Sequence, residues 1–191
     1  MVGSRAYVLD SFALLAYFEG DAGMPRVRSV LAGAEAHRHT VYLTLINLGE
    51  ALYITERERG LIAARRTLGA VDELPLELVP VSRATVLAAA HIKARFPISY
   101  ADAFATVAAR DCGGVVMTGD PEFRALADAG VVDVEWLPRR RAEPESGRPE
   151  TLSYRSSGAR SRSFGQHTVP SSTKASAKRV GSERGWRVPG S

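Results

Sequence analysis

The stretch SYADAFATVAA, Ser99–Ala109, decides how the rest of the sequence is interpreted. It places one carboxylate, Asp102, in the first turn of an otherwise apolar, alanine-rich helix, whereas solvent-facing helices usually spread their charges over an outer face. Ser99 and Asp102 stand three residues apart, as in a capping box, so Asp102 has a purely structural interpretation as a group that satisfies a free backbone N–H. A functional interpretation depends on the other acids of the chain.

Three further acids, Asp10, Glu50 and Asp120, occupy comparable places, each at or just past the end of a strand-like run. Asp120 precedes Pro121, and an acid before a proline at the first helical position is also a good helix cap. Ligands of parallel α/β sheets bind beyond the carboxyl ends of the strands. If the four carboxylates meet at that edge of a sheet, they need a cation.

Short apolar runs alternate with helical patterns, which indicates an α/β fold with a mainly parallel central sheet of about five strands flanked by helices. The predicted strands are AYVLD (6–10), VYLT (41–44), LELVPV (76–81), the apolar part of GGVVMTGD (113–120) and VDVEWL (132–137). Helices are predicted over 11–19, about 24–36, 45–59, about 61–73, 83–95, from Ser99 onward and from Pro121 onward. Gly20 and Gly60 are the predicted stops of two of them, and Thr44 is a predicted cap.

Glu50 lies on a predicted apolar stripe of its helix, at spacings of three and four residues. The other members of that stripe are Ile46, Tyr53 and Ile54. An ionised carboxylate buried among apolar groups must find a proton, a partner or a metal, because its burial alone is prohibitively costly. Glu50 is therefore the acid that is hardest to explain by structure alone.

The composition predicts one folded domain and a tail. At 191 residues with 45% hydrophobic residues, the chain can bury one good core and is short for two large domains. Ser, Gly and Pro dominate from residue 139 onward, so we expect a domain over 1–138 and a disordered basic tail over 139–191. The tail holds 12 Lys and Arg against 4 Asp and Glu, which leaves 13 against 17 for residues 1–138. The excess positive charge is thus no evidence that the folded part binds nucleic acid.

Two features of the sequence bear on location. The hydrophobic start MVGSRAYVLDSFALLAYF is interrupted by Arg5, Asp10 and Glu19, which argues against a signal-peptide core or a membrane span. The single cysteine, Cys112, cannot form an internal disulfide or a cysteine-based zinc site, and we expect it to be a small core residue. Both features favour a cytoplasmic protein without membrane contact.

Carboxylates without Cys or His partners select hard cations such as Mg²⁺ or Mn²⁺, whose coordination shells keep waters and accept phosphate oxygens. Hydrolysis of a phosphodiester suits such a site, because the metal lowers the pKa of a bound water and offsets charge that develops at phosphorus. This chemistry needs no histidine. We expect all four histidines to be surface residues: His37, His39, His91 and His167.

The acid-bearing segments resemble the PIN-domain ribonucleases, particularly the VapC-type toxins of bacterial toxin–antitoxin pairs. YVLDSFALLAYF looks like the opening strand and first acid of that family, and LINLGEALY is similar to the helix with the second acid. ISYADAFATVAA resembles the most diagnostic segment, and VVMTGDPEF resembles the last one. The resemblance covers about residues 5–137 and implies a PIN-like three-layer sandwich, but it does not extend into the tail.

The resemblance also implies a site, a cofactor and partners. By their positions in the motifs, the metal ligands and catalytic acids would be Asp10, Glu50, Asp102 and Asp120, with Ser11 and Thr118 as supporting hydroxyls. The implied activity is a Mg²⁺- or Mn²⁺-dependent endoribonuclease that cleaves single-stranded or looped RNA. The implied partners are a second copy of the chain and a small antitoxin, which would lay an apolar or arginine-bearing segment beside the acids.

Other functions fit parts of the same pattern. A PIN-domain nuclease of RNA processing, or a PIN-like module that has lost activity and serves as an RNA-binding scaffold, would carry the same motifs. A receiver-like domain also binds Mg²⁺ beside acids, but it needs a lysine after a late strand, where VVMTGD has none. A haloacid-dehalogenase-type phosphatase is disfavoured by the residues that follow Asp10.

Two basic features also have two interpretations each. The tail is either a basic arm that holds RNA through its phosphates or an extension without a selected role. Lys93, Arg95 and Arg124 flank the motifs, and they are either phosphate contacts or ordinary surface charges.

Overall fold

The computed structural model describes residues 5–139, in which strands and helices alternate as the sequence predicts. The strands of this range are β1 (Ala6–Leu9), β2 (Thr40–Thr44), β3 (Glu77–Val79), β4 (Val115–Thr118) and β5 (Asp133–Trp136). Its helices are α1 (Ser11–Glu19), α2 (Met24–Glu35), α3 (Leu45–Arg59), α4 (Leu61–Asp72), α5 (Arg83–Lys93), α6 (Tyr100–Cys112) and α7 (Arg124–Asp128), with a 3₁₀ helix at Pro121–Phe123. The predicted tail and His167 lie outside the described residues, apart from Arg139.

The central sheet is parallel throughout, which confirms the predicted fold class. Its strand order is β3-β2-β1-β4-β5, and each of the four neighbouring pairs runs parallel. From β1 the chain builds outward through β2 and β3 on one side, and it then returns to build β4 and β5 on the other. The order therefore reverses between β1 and β4, and ligands of such sheets bind outside the carboxyl ends of the strands at this switch point.

Alternate residues of the strands face two separate cores. Tyr7 and Leu9 of β1 pack with side chains of α1 to α4, whereas Val8 packs with side chains of α5, α6 and α7. A strand that is buried on both faces needs apolar residues at every position, which explains the continuous run in β1. The result is the three-layer sandwich that the sequence predicts.

Several helix ends follow the predicted local chemistry. Gly20 ends α1 in the left-handed region, at φ 70°, where glycine has no steric penalty. The Thr44 side chain accepts a hydrogen bond from the Asn47 N–H and caps α3. The predicted third strand stops early, at Val79, because Pro80 has no N–H to donate to the ladder.

One prediction about a single residue is met in part and one is wrong. Cys112, the last residue of α6, is half-buried and packs against the edge of the second core. His39 is not a free surface residue, because its Nε2 lies 2.7 Å from the Val30 carbonyl oxygen and its ring packs edge-on against Tyr7. The other two histidines of this range, His37 and His91, are exposed as expected.

No helix within residues 5–139 combines the length and apolar character needed to cross a membrane.

Candidate functional site

The four predicted acids line one cleft of about 200 Å³. Asp10 and Asp120 follow the carboxyl ends of β1 and β4, so the cleft lies at the switch point of the sheet. The other residues that line it are Ser11, Phe12, Leu15, Ile54, Ser99 and Glu122. The sequence thus brings together, from four separate segments, the carboxylates that it marks as candidates.

Asp10 is the most buried of these acids, with 1% of its surface exposed. Its Oδ1 accepts a hydrogen bond from the Ala13 N–H at 2.8 Å, and its Oδ2 accepts one from Thr118 Oγ1 at 2.6 Å. Burial raises the pKa of Asp10 to about 8, against the opposing effect of these two hydrogen bonds and with a smaller contribution from Asp102 and Asp120. Asp10 therefore lacks a charge partner that would hold it ionised.

Thr118 connects Asp10 to Asp120. It is fully buried at the end of β4, and while its hydroxyl donates to Asp10 it accepts a hydrogen bond from the Asp120 N–H at 2.8 Å. Asp120 Oδ1 accepts from the Glu122 N–H at 2.9 Å and caps the 3₁₀ helix. The predicted capping geometry of Asp120 is confirmed, and its role as a ligand stays a prediction.

Asp102 also has the capping geometry that the sequence predicts. Its Oδ2 accepts from the Ser99 N–H at 3.0 Å, and Ser99 Oγ accepts from the Asp102 N–H at 3.0 Å. Burial raises the pKa of Asp102 to about 6; the Ser99 hydrogen bonds oppose this, and the charges of Asp120 and Glu122 add to it. Asp102 thus both caps α6 and faces other carboxylates across the cleft.

Glu50 is half-buried and belongs to the cleft for a different reason from the predicted one. The predicted apolar stripe holds only in part: Ile46 packs against the second core and Ile54 lines the cleft, whereas Tyr53 is 54% exposed. The buried face of α3 is rotated by one residue and consists of Asn47, Leu48, Ala51 and Thr55. Glu50 sits at the margin of that face, where Ser11 Oγ donates to its Oε2 at 2.5 Å.

Asn47 is a site residue that the sequence analysis missed. It is fully buried; its Oδ1 accepts from Thr44 Oγ1 at 2.5 Å, and its Nδ2 donates to Ser11 Oγ at 3.3 Å. Asn47 therefore orients the Ser11 hydroxyl, which in turn donates to Glu50. The available signal was an amide side chain three residues after the predicted cap Thr44.

Glu122 and Phe12 were also missed. Glu122 lines the cleft and contributes to the raised pKa of Asp102; its signal was a second acid two residues after Asp120. Phe12 forms part of the apolar wall, and the Arg139 guanidinium lies 5.9 Å from the centre of its ring. An aromatic residue beside a candidate ligand is usually core, so nothing in the sequence marked it.

The flanking cations contribute less than the acids. Lys93 Nζ donates to the Ile98 carbonyl oxygen, whereas Arg95 and Arg124 are exposed. Within the described range none of the three lines the cleft. They fit the interpretation as ordinary surface charges.

A second cleft, of about 340 Å³, lies elsewhere on the fold and is lined largely by apolar side chains such as Val79, Phe104 and Val107. Its lining includes one carboxylate, Asp111. It lacks the set of charged groups found around Asp10, so the smaller, acidic cleft is the candidate site.

The acidic cleft fits a hard divalent cation by the chemistry of its side chains. Oxygen donors line it, and burial, with a smaller contribution from the neighbouring acids, raises the pKa of Asp10 and of Asp102, so that a cation would favour their ionised forms. Among residues 5–139, however, no three acidic, His or Cys side chains are already gathered closely enough to hold a metal ion. The donors are present, and a third one would have to move closer to complete the set when a cation binds.

A parallel sheet with carboxylates at its switch point defines an α/β protein with an acidic ligand cleft. The family is more specific than the class: the family model for the PIN domain matches residues 7–129, and the chain belongs to the PIN-domain family. This result confirms the resemblance seen in the acid-bearing segments and excludes the receiver-like and dehalogenase-like alternatives.

The solved structures that the chain is similar to share its fold. VapC20 from Mycobacterium tuberculosis, a sarcin–ricin loop cleaving toxin, matches with a TM-score of 0.55 and 21% identity over 69% of this chain and 99% of VapC20. VapBC2 from Rickettsia felis, bound to a DNA fragment from its promoter, matches with a TM-score of 0.56 and 14% identity over 70% and 100% of the two chains. A comparison with curated protein sequences gave no significant match.

Proposed function

We propose that this protein is a Mg²⁺- or Mn²⁺-dependent endoribonuclease that hydrolyses RNA phosphodiester bonds as the toxin of a type II toxin–antitoxin pair. The observation that carries the proposal is the convergence of Asp10, Glu50, Asp102 and Asp120 on one cleft of a PIN domain. Support for the toxin role comes from VapC20, a toxin that cleaves RNA of the sarcin–ricin loop.

The four acids would hold the cation, which supplies a bound water of lowered pKa and offsets charge developing on the scissile phosphate. The other residues of the cleft position these acids. Thr118 holds the Asp10 carboxylate through its hydroxyl, and Ser11 does the same for Glu50. Phe12, Leu15 and Ile54 give the cleft an apolar side that limits the access of competing water.

The proposal includes two protein partners and a location. A small antitoxin would cover the acidic cleft, and the existence of such a partner is supported by the likeness of the fold to VapBC2 from Rickettsia felis. A second copy of the chain would complete a homodimer. We place the activity in the cytoplasm, where RNA is available and a lone cysteine stays reduced.

The central experiment is an RNA-cleavage assay with the wild type and Asp102→Asn. We expect cleavage with Mg²⁺ or Mn²⁺, none with EDTA, and a loss of orders of magnitude in the variant. Asparagine keeps an oxygen that can accept from the Ser99 N–H, so the cap survives while the charge is removed. The thermal midpoint of the metal-free variant should therefore equal or exceed that of the wild type, since one of several repelling carboxylates is gone.

Two outcomes would contradict the proposal. Undiminished cleavage in EDTA would exclude a required metal. A destabilised but fully active Asp102→Asn protein would show that Asp102 is only a helix cap and would remove the basis of the nuclease assignment. Suppression of the activity by the product of a small neighbouring gene would distinguish a toxin from an RNA-processing enzyme.

We also propose that residues 1–138 form the nuclease and that residues 139–191 are a basic extension dispensable for its folding. Truncation after Pro138 should leave the thermal midpoint nearly unchanged, because few apolar groups are lost with it. A cooperative loss of stability would contradict this division. If the extension contacts RNA phosphates, its removal should also weaken the salt dependence of RNA affinity.

A further inference from the structure

The ring of Phe12 lies directly against Gly119, the residue that precedes Asp120. A Cβ atom placed on Gly119 would lie 2.4 Å from Cε1 and 2.5 Å from Cζ of the Phe12 ring. Side chains do not approach that closely, so the ring occupies the space that any larger residue at position 119 would need. Gly119 does not have a positive φ; glycine is required here for space and not for backbone conformation.

The backbone against which the ring lies connects two of the candidate ligands. Gly119 stands between Thr118, whose hydroxyl holds Asp10, and Asp120, whose N–H is held by the same hydroxyl. The end of β5 fixes this turn as well, since the Leu137 N–H donates to the Thr118 carbonyl oxygen at 2.7 Å. The Phe12 ring therefore rests on a short turn that is anchored at both ends.

Phe12 is itself fixed relative to Asp10. It lies in the first turn of α1, the helix that Asp10 caps by accepting from the Ala13 N–H. The ring packs in the space between the first turn of α1, which carries Asp10, and the turn at Gly119, which leads to Asp120. This contact adds to the Thr118 hydroxyl, which already links the two acids.

We propose that Phe12 and Gly119 are positioning residues that hold Asp120 at its distance from Asp10 for the binding of a divalent cation. The inference rests on the proposed function, since it assigns a role toward the ion which that function requires. It adds a specific steric pair that belongs to this chain: a large ring at position 12 and no side chain at position 119.

The test is Mn²⁺ titration calorimetry on the full-length protein, with the thermal midpoint of each metal-free variant and the RNA-cleavage rate measured beside it. Gly119→Ala should weaken Mn²⁺ binding by about tenfold or more, the effect typical of residues that orient metal ligands. The matched control is Gly69→Ala on α4, where a Cβ meets nothing within 4 Å and binding should stay at the wild-type level.

A second substitution makes the steric cause visible. Leucine lacks the Cε1 and Cζ atoms that an alanine at 119 would hit, whereas the Leu137 carbonyl oxygen, 3.1 Å from that Cβ, stays in place. Gly119→Ala combined with Phe12→Leu should therefore recover part of the lost Mn²⁺ affinity. Phe12→Leu alone leaves a gap against Gly119 and should weaken Mn²⁺ binding although the protein folds. Recovery of Mn²⁺ affinity in the double variant would identify a positioning role. A general loss of packing would instead make the double variant bind Mn²⁺ more weakly than either single variant.

The outcomes separate the inference from the proposed function. A wild type that neither binds Mn²⁺ nor cleaves RNA would contradict the proposed function, and the inference with it. A wild type that does both, beside Gly119→Ala and Phe12→Leu variants of equal Mn²⁺ affinity, would overturn the positioning role alone. So would a folded double variant that binds Mn²⁺ no better than Gly119→Ala.

Discussion

The strand-end side of the cleft and its helix side hold their carboxylates in different ways. On the strand-end side, Asp10 is almost fully buried and both of its oxygens accept hydrogen bonds from residues of the fold. On the helix side, Glu50 is half-buried and is held by a single hydroxyl, that of Ser11. One acid is fixed by the sheet before any ligand arrives, and the other keeps freedom to move.

The two sides of the cleft therefore differ in how unfavourable an ionised carboxylate is. A parallel sheet places the residue after a central strand with little freedom, and burial there raises the pKa of Asp10 to about 8. A helix margin leaves Glu50 half-buried, with the Ser11 hydroxyl as a donor, so it loses less contact with water than Asp10 does. The fold thus makes ionisation unfavourable at the fixed position and leaves the other acid closer to solvent.

We expect the largest effects, on RNA cleavage and on stability, when Asp10→Asn is compared with Glu50→Gln. Both should lower metal-dependent RNA cleavage by orders of magnitude, because each removes a proposed ligand. Only Asp10→Asn should stabilise the metal-free protein at pH 8.5, by about 2–4 °C in thermal midpoint for each kcal/mol of relieved charge burial. Paired melting curves and cleavage rates measure both quantities.

The comparison would fail if the two variants melted alike. Equal stabilisation by Glu50→Gln would mean that the helix acid is as poorly solvated as the strand-end acid. Destabilisation by Asp10→Asn at every pH would mean that its hydrogen bonds to Ala13 and Thr118 matter more than its charge.

A smaller effect is expected from pH alone. The folded state raises the pKa of Asp10 from 3.8 to about 8 and that of Asp102 from 3.8 to about 6. The folded metal-free protein therefore binds protons more tightly than the unfolded chain. The stability that the protein gains from this proton binding is fully present below about pH 4, and it is lost as the pH rises to about 8. As the pH rises over the same range, Mn²⁺ should stabilise the wild type increasingly, because the carboxylates must lose their protons before they can bind the ion.

The measurement is the difference in unfolding free energy between wild type and Asp10→Asn across pH 4 to 9, without metal. Taking the difference cancels the titrating groups that do not interact with Asp10; Asp102 and Asp120 do interact with it and add a smaller part to the difference. A difference that stays flat with pH would contradict the buried, uncompensated carboxylate that the structure shows.

Much of the fold could be predicted because the signals were local. The apolar run of β1 is buried on both faces, Gly20 permits a left-handed helix end, and Thr44 caps the helix that follows it. Each of these depends on neighbouring residues alone. Strand order could not be worked out in this way, since it depends on which strands pair across the sheet.

The site was predicted less completely because its supporting contacts join distant parts of the chain. The four acids were marked by their places after strands or in a first helical turn. Asn47 and Ser11 lie 36 residues apart, and Phe12 meets Gly119 only after the sheet has formed. The most buried face of α3 was also mispredicted by one residue, because which side of a helix is covered depends on the elements that pack against it.

The smallest effects are expected from the two hydroxyls that serve the two sides, compared as Thr118→Val and Ser11→Ala. Loss of Thr118 Oγ1 removes a buried hydrogen bond to a carboxylate, worth about 1.5–3 kcal/mol, and it leaves the Asp120 N–H without its acceptor. Because that bond lowers the pKa of Asp10, its removal should raise the pKa further and weaken Mn²⁺ binding by about tenfold. Thr118→Ser keeps the hydroxyl and should restore most of the binding.

Ser11→Ala leaves Glu50 accessible to water, which can replace the lost donor, so Mn²⁺ affinity should change by a smaller factor than in Thr118→Val. A larger loss of Mn²⁺ affinity in Ser11→Ala than in Thr118→Val would reverse the order of the two sides and show that the helix acid is the one that the fold must fix.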